Sequence, residues 1–174
     1  FQTKRLNMSD KFQEIEFGQV KWLVIASYLF AIILNIIAIQ DPLLTFLPPF
    51  GLLLVLFWSV QLLRNSHLIT AFILGVLYDA LYQTLLGGHA LLFVIITFIM
   101  LRIRLRFRTY RHWQQGLVVG FYFYIYQILH YFFFSPVLEG QVLFLYWIMP
   151  IIAGIIWPGL VVTLRGLSNR LSTL

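Results

Sequence analysis

An all-α membrane protein of six transmembrane helices is the fold class this sequence predicts, and three observations predict it. Of the 174 residues, 61% are hydrophobic and 10% are charged, whereas a soluble domain carries roughly 25% charged residues. The apolar runs extend for about 16 to 23 residues, which suits helices crossing hydrocarbon and is about twice the length of a membrane β-strand. Six crossings place all 12 Lys and Arg on one face: the amino-terminal segment, Arg64, the stretch Arg102 to Arg111, Arg165 and Arg170. The positive-inside rule makes that face cytoplasmic, with both termini on it. Adding or removing one span divides the bases between the two faces. The outer connections carry Asp41 and Glu139 and no base.

The net charge of +6 is therefore a matter of topology, and no nucleic-acid partner is expected. The absence of cysteine excludes disulfides, thiol catalysis and cysteine metal sites. Residues 1–21 are polar and mixed in charge. They lack an apolar core followed by a small-residue cleavage site, so no cleavable signal peptide is expected. Met8 is a candidate native start, with residues 1–7 a remnant ahead of it.

The first span, 22–39, lies between Lys21 and Asp41-Pro42, with Asn35 as its one strongly polar interior residue. The second, 48–63, opens on Pro48-Pro49, where a missing backbone donor costs little. At about 24 Å it is short and should lean on interfacial flanks. A polar turn, Arg64 to His67, leads to the third span, 68–86.

Asp79 falls well inside that third span, about 16 Å from its start and near the bilayer midplane. An ionised carboxylate there costs about 2.5 to 3.5 kcal/mol on insertion scales, so it should be neutral, paired or turned to a polar interior. Ala71, Gly75, Asp79 and Gln83 recur every four residues and form one stripe, small and then polar. The stripe is either a packing face satisfied by neighbouring helices or a proton, ligand or partner site. Gly87-Gly88 then reverses the chain.

The fourth span, 89–104, runs into Arg102, Arg104, Arg106 and Arg108, which alternate with apolar residues at a strand-like period. A helix end followed by an interfacial loop through Arg111 is expected. Its two readings are topology determination and binding of anionic lipid headgroups or an acidic cytoplasmic partner. The fifth span, 113–134, carries a Gly116-Gly120 pair that favours close helix packing. Its outer tyrosines read as interfacial anchors, and Gln127 and His130 as groups satisfied by neighbours. In the sixth span, 142–164, Pro150, Gly154 and Pro158 share one face, so a kink or local unwinding is expected there. A short basic tail follows from Leu167. Grooves for a partner helix are expected beside Gly116 and Gly120, and beside Pro150, Gly154, Trp157 and Pro158.

The sequence shows no hydrolase elbow, phosphate loop, HExxH or paired catalytic carboxylates. No enzymatic activity, cofactor or metal is expected. In order along the chain stand Pro49 and Trp58, Gly75 and Asp79, Leu86-Gly87 with Ala90-Leu91, the arginine-rich stretch, Trp113-Gln114-Gln115, and Trp157-Pro158. This series resembles the MreD family of bacterial rod shape-determining proteins, from about Pro48 to Arg170. The turn Leu63 to His67 departs from it by lacking a proline.

The resemblance implies a non-enzymatic, multi-pass component of the bacterial cytoplasmic (inner) membrane and of the cell-elongation machinery. Such a component binds the bitopic scaffold MreC. Through MreC it connects MreB filaments with the glycosyltransferase and transpeptidase that make side-wall peptidoglycan. The family is also distantly similar to the six-helix substrate-binding components of energy-coupling factor vitamin transporters, which supplies an alternative function. That alternative needs an outer pocket roofed by polar loops, and the outer loops here are short and poor in polar side chains.

Overall fold

The computed structural model describes residues 17–40, 47–62, 67–136 and 141–172. Met8, Asp41, Arg64, Glu139 and the proline-free turn at 63–66 lie outside the described residues. Within them the chain forms α1 (Phe17–Ile39), α2 (Phe50–Gln61), α3 (Leu68–Tyr82), α4 (Gly88–Thr109), α5 (His112–Phe134) and α6 (Gln141–Ser172), with no strand.

Helix α2 is apolar on nearly every side, and such a helix is stable only when surrounded. Every residue from Gly51 to Gln61 is buried, and α2 packs against α1, α3, α4 and α6. Its Trp58 indole donates to Ser27 Oγ of α1 at 3.1 Å. The first turn of α2 leaves backbone donors unsatisfied, and the buried hydroxyl of Tyr78 on α3 accepts one of them, Gly51 N–H, at 2.9 Å. Around this centre α3 pairs closely with α4, and α5 with α6. The outer faces are strongly apolar: Ile25, Leu29 and Ile33 on α1, Ile69 and Phe72 on α3, and Leu117 and Phe121 on α5 are all exposed. Faces of that kind and extent call for lipid or a partner.

The helix boundaries differ from expectation at four places. Helix α2, at 12 residues, is shorter than the expected span, and its burial removes the need to cross lipid unaided. Helix α3 stops at Tyr82 because Gln83 adopts a left-handed conformation, φ 52°, and the N–H groups of Gln83 and Thr84 both donate to Asp79 O. Asp79 therefore stands close to the end of its helix and not at its middle. Helix α4 continues through Arg108 to Thr109, where a loop was expected. A helical stripe wins over the strand-like alternation: Ile96, Met100 and Phe107 are fully buried, with Ile103 packed against the same core. Helix α6 stays helical through Pro150 and Pro158 and on to Ser172, so neither local unwinding nor a separate tail is observed.

Three helices, α1, α5 and α6, are long and apolar enough to cross a membrane by length and composition. Helices α2 and α3 are apolar but shorter, and α4 carries the arginines.

Candidate functional site

The turn between α3 and α4 is built around the Asp79 carboxylate. Helix α4 begins with unpaired backbone donors and a partial positive charge, and Asp79 reaches across from α3 to meet both. Its Oδ2 accepts from Gly87 N–H at 2.8 Å. Its Oδ1 accepts from His89 N–H at 2.9 Å, from the His89 ring at Nδ1 at 2.8 Å and from the Thr84 hydroxyl at 3.1 Å. The side chain is fully enclosed. Charge-assisted hydrogen bonds of this kind are about twice as strong as neutral ones, which explains how an acid is accommodated among apolar helices.

Glycines let the two backbones approach closely enough for this. A Cβ on Gly75 would fall 2.2 Å from Ala90 Cα, so α3 and α4 touch at backbone level there, with Ala71 also buried on the same face. Gly87 holds φ 100° as the residue before α4, a conformation that other residues adopt only with strain. A Cβ on Gly88 would meet the Phe134 ring of α5 at 2.5 Å.

Gly75, Asp79, Gly87 and Gly88 are thus brought together. Gln83 is not: it is exposed at the end of α3, because the helix stops before the four-residue stripe reaches it. Sequence reasoning missed His89 and Thr84. The available signal was an acid followed by a hydroxyl and then by Gly-Gly-His, a loop rich in donors. It also missed Gln115, which donates to the carbonyls of Phe107 (3.3 Å) and Tyr110 (3.1 Å) and accepts from the Trp157 indole (3.3 Å). That one side chain ties the α4–α5 turn to α6.

On another side of the molecule, α5 and α6 cross at their glycines. A Cβ on Gly116 would lie 2.5 Å from Gly154 O, and one on Gly154 would lie 2.8 Å from Gly116 O. The same residues floor an apolar surface groove of about 700 Å³, bordered by Gly116, Gly120, Pro150, Gly154 and Pro158. Exposed Leu117, Phe121, Ile151 and Ile155 form its walls. Trp157, expected beside this groove, instead points into the core, 6.4 Å from Phe57 and 5.8 Å from Phe107.

The arginines gather at the end of the molecule away from the Asp79 turn. Arg102, Arg106 and Arg111 are exposed, and Arg104 and Arg108 are half-buried. Arg102 also lies over the Phe98 ring, 4.9 Å from its centroid. Among the described residues no group of three or more His, Cys, Asp or Glu is placed to hold a metal ion.

No solved structure matches the chain. A family model described as rod shape-determining protein MreD matches residues 18–167, a stretch that takes in the α3–α4 clamp, the Gln115 bridge and the α5/α6 crossing, and the chain belongs to that family.

Proposed function

We propose that this protein is a non-enzymatic scaffold of the rod-shape machinery, and that the α5/α6 groove receives the transmembrane helix of an MreC-like bitopic protein. In the same reading the chain crosses the bacterial cytoplasmic membrane six times as a single domain, with both termini and all the arginines on the cytoplasmic side. MreB-like filaments and the peptidoglycan glycosyltransferase and transpeptidase are reached indirectly, through that partner.

The groove is the observation that carries this reading. Lipid chains are as apolar as leucine, so helices associate in a membrane by close packing and interhelical hydrogen bonds. A glycine floor between projecting walls offers close packing of that kind. Family membership supplies the rod-shape context.

Because Gly116, Gly120 and Gly154 also hold α5 against α6, the walls are the better place to test the groove. Phe121→Ala with Ile155→Ala should lower co-purification of the MreC-like partner from gently solubilised membranes by at least fivefold, with the melting temperature of the isolated protein unchanged. Undiminished co-purification would remove the groove from the interface.

A further inference from the structure

At the end of the bundle opposite the arginines, the structure holds a second and quite different space, a partly open cavity of about 260 Å³. It lies on the interior side of α5, away from the groove. Its walls are rings and amides: Tyr78 and Tyr82 of α3, His89 of α4, Tyr126 and His130 of α5, and Tyr146 of α6, with Asn35 and Gln127 among the remaining lining residues.

Two features show hydrogen-bonding capacity that the protein leaves unused. The carboxamide of Gln127, a residue 1% exposed, lies within reach of the Tyr146 hydroxyl, yet neither its nitrogen nor its oxygen makes a hydrogen bond of good geometry among the described residues. Buried polar groups are ordinarily paired, and an exception asks for an explanation. The two imidazoles supply the other feature. The Tyr146 hydroxyl stands 3.3 Å from Gln127 O and shares a 2.9 Å hydrogen bond with His130 Nδ1. His89 Nδ1 donates to Asp79. In the neutral form His89 then keeps Nε2 as an acceptor, and His130 keeps Nε2 as an acceptor or a donor according to its tautomer. The rings stand 5.3 Å apart, centroid to centroid.

We propose that this cavity binds a small, uncharged, flat heterocycle that carries N–H or O–H donors at its edge. Flat aromatic walls favour a flat occupant through offset stacking. The His89 acceptor and the mixed donor and acceptor of Gln127 match an edge of the amide or amidine type. Among the described residues no Lys or Arg lines the space, and the Asp79 carboxylate stands behind His89, so phosphorylated and carboxylated molecules are disfavoured. A largely apolar, ring-walled pocket with a few polar groups is the usual form of a small-molecule site.

The test uses the full chain in lipid nanodiscs, with labelled adenine as the probe in equilibrium dialysis and adenosine monophosphate as the charged control bearing the same ring. Adenine should bind saturably at one site per chain, with the monophosphate at least tenfold weaker. Gln127→Leu should weaken adenine at least tenfold, and Ala38→Phe, which fills the lining at α1, should abolish binding. The wild-type comparison of base with monophosphate stands even where a variant fails to fold. Adenine that does not saturate, a monophosphate that binds equally well, or undiminished binding by both folded variants would overturn the proposal and leave the cavity to water.

Discussion

Asp79 accepts four hydrogen bonds, and all four partners are donors. This changes what a conservative replacement does. From sequence alone, Asp79→Asn preserves both shape and hydrogen bonding. In the structure it places an amide NH₂ against either Gly87 N–H or the His89 donors. Asp79→Asn should therefore destabilise the protein by about 1 to 3 kcal/mol, the cost of a buried donor left unpaired, and Asp79→Leu by more, since it strands every donor at once. Denaturation of the purified protein in detergent measures both. If Asp79→Asn protein keeps its stability and its partner while cell elongation fails, a proton-linked role replaces the capping role. Gly75 is the companion test at this scale. Even alanine there collides with the Ala90 backbone, so Gly75→Ala should lower stability more than the ordinary helix preference for alanine raises it.

At the scale of elements, polar residues act as bridges between helices that hydrophobicity alone does not position. Asp79 joins α3 to α4, Tyr78 joins α3 to α2, Trp58 joins α2 to α1 and Gln115 joins α4 and α5 to α6. Gln115→Leu should cost about 1 to 3 kcal/mol, because it leaves the buried Trp157 indole without an acceptor. Gly154→Leu should disrupt the α5/α6 crossing outright and unfold the isolated protein, in contrast to the exposed groove walls. Loss of folding by Gly154→Leu together with retained folding of the Phe121→Ala/Ile155→Ala protein is the expected pattern in a thermal melt. The arginine-bearing end of α4 belongs to the same scale. As a helix it displays Arg102 and Arg106 on one side and Arg104 and Arg108 on nearly the other, an arrangement suited to a headgroup layer. Each base near an anionic leaflet adds roughly 1 kcal/mol of attraction, screened by salt. Replacing Arg104, Arg106 and Arg108 by Gln, with topology verified unchanged, should reduce association with anionic lipid or an acidic partner. No change in either leaves topology as the role of this end.

For the whole molecule, the six-span arrangement makes a direct prediction. Cysteines placed at positions 41 and 139 should react with an impermeant thiol reagent in intact cells, and one at position 106 should react only after the membrane is opened. Labelling of position 106 in intact cells, or protection of the other two, rules the arrangement out. Helices as short as α2 and α3 fit such a topology because tertiary packing supplies what length does not: α2 is enclosed by its neighbours, and the α3–α4 turn has its backbone donors met by Asp79. Exposed irregular backbone at membrane depth is tolerated only where protein satisfies it.

Composition and the lengths of the apolar runs determined that the protein is helical and fitted to a membrane, because hydrocarbon solvates apolar side chains but not backbone donors. The ordered series from Pro49 to Pro158 determined the family, and the spacing of Ala71, Gly75 and Asp79 identified the face of α3 that packs on α4. Helix ends were less legible. Gln83 is apt for a helix by composition, and only the left-handed closure onto Asp79 O stops α3 before it. The arginines of α4 alternate as in a strand, and only the burial of Met100 and Phe107 against the core keeps that segment helical. Trp157 shares a helix with the groove residues, yet its direction was decided by Gln115, 42 residues away. The cavity between His89, Gln127, His130 and Tyr146 had no sequence signature, because its walls come from five helices and the residues leading into α2, and meet only when the bundle closes.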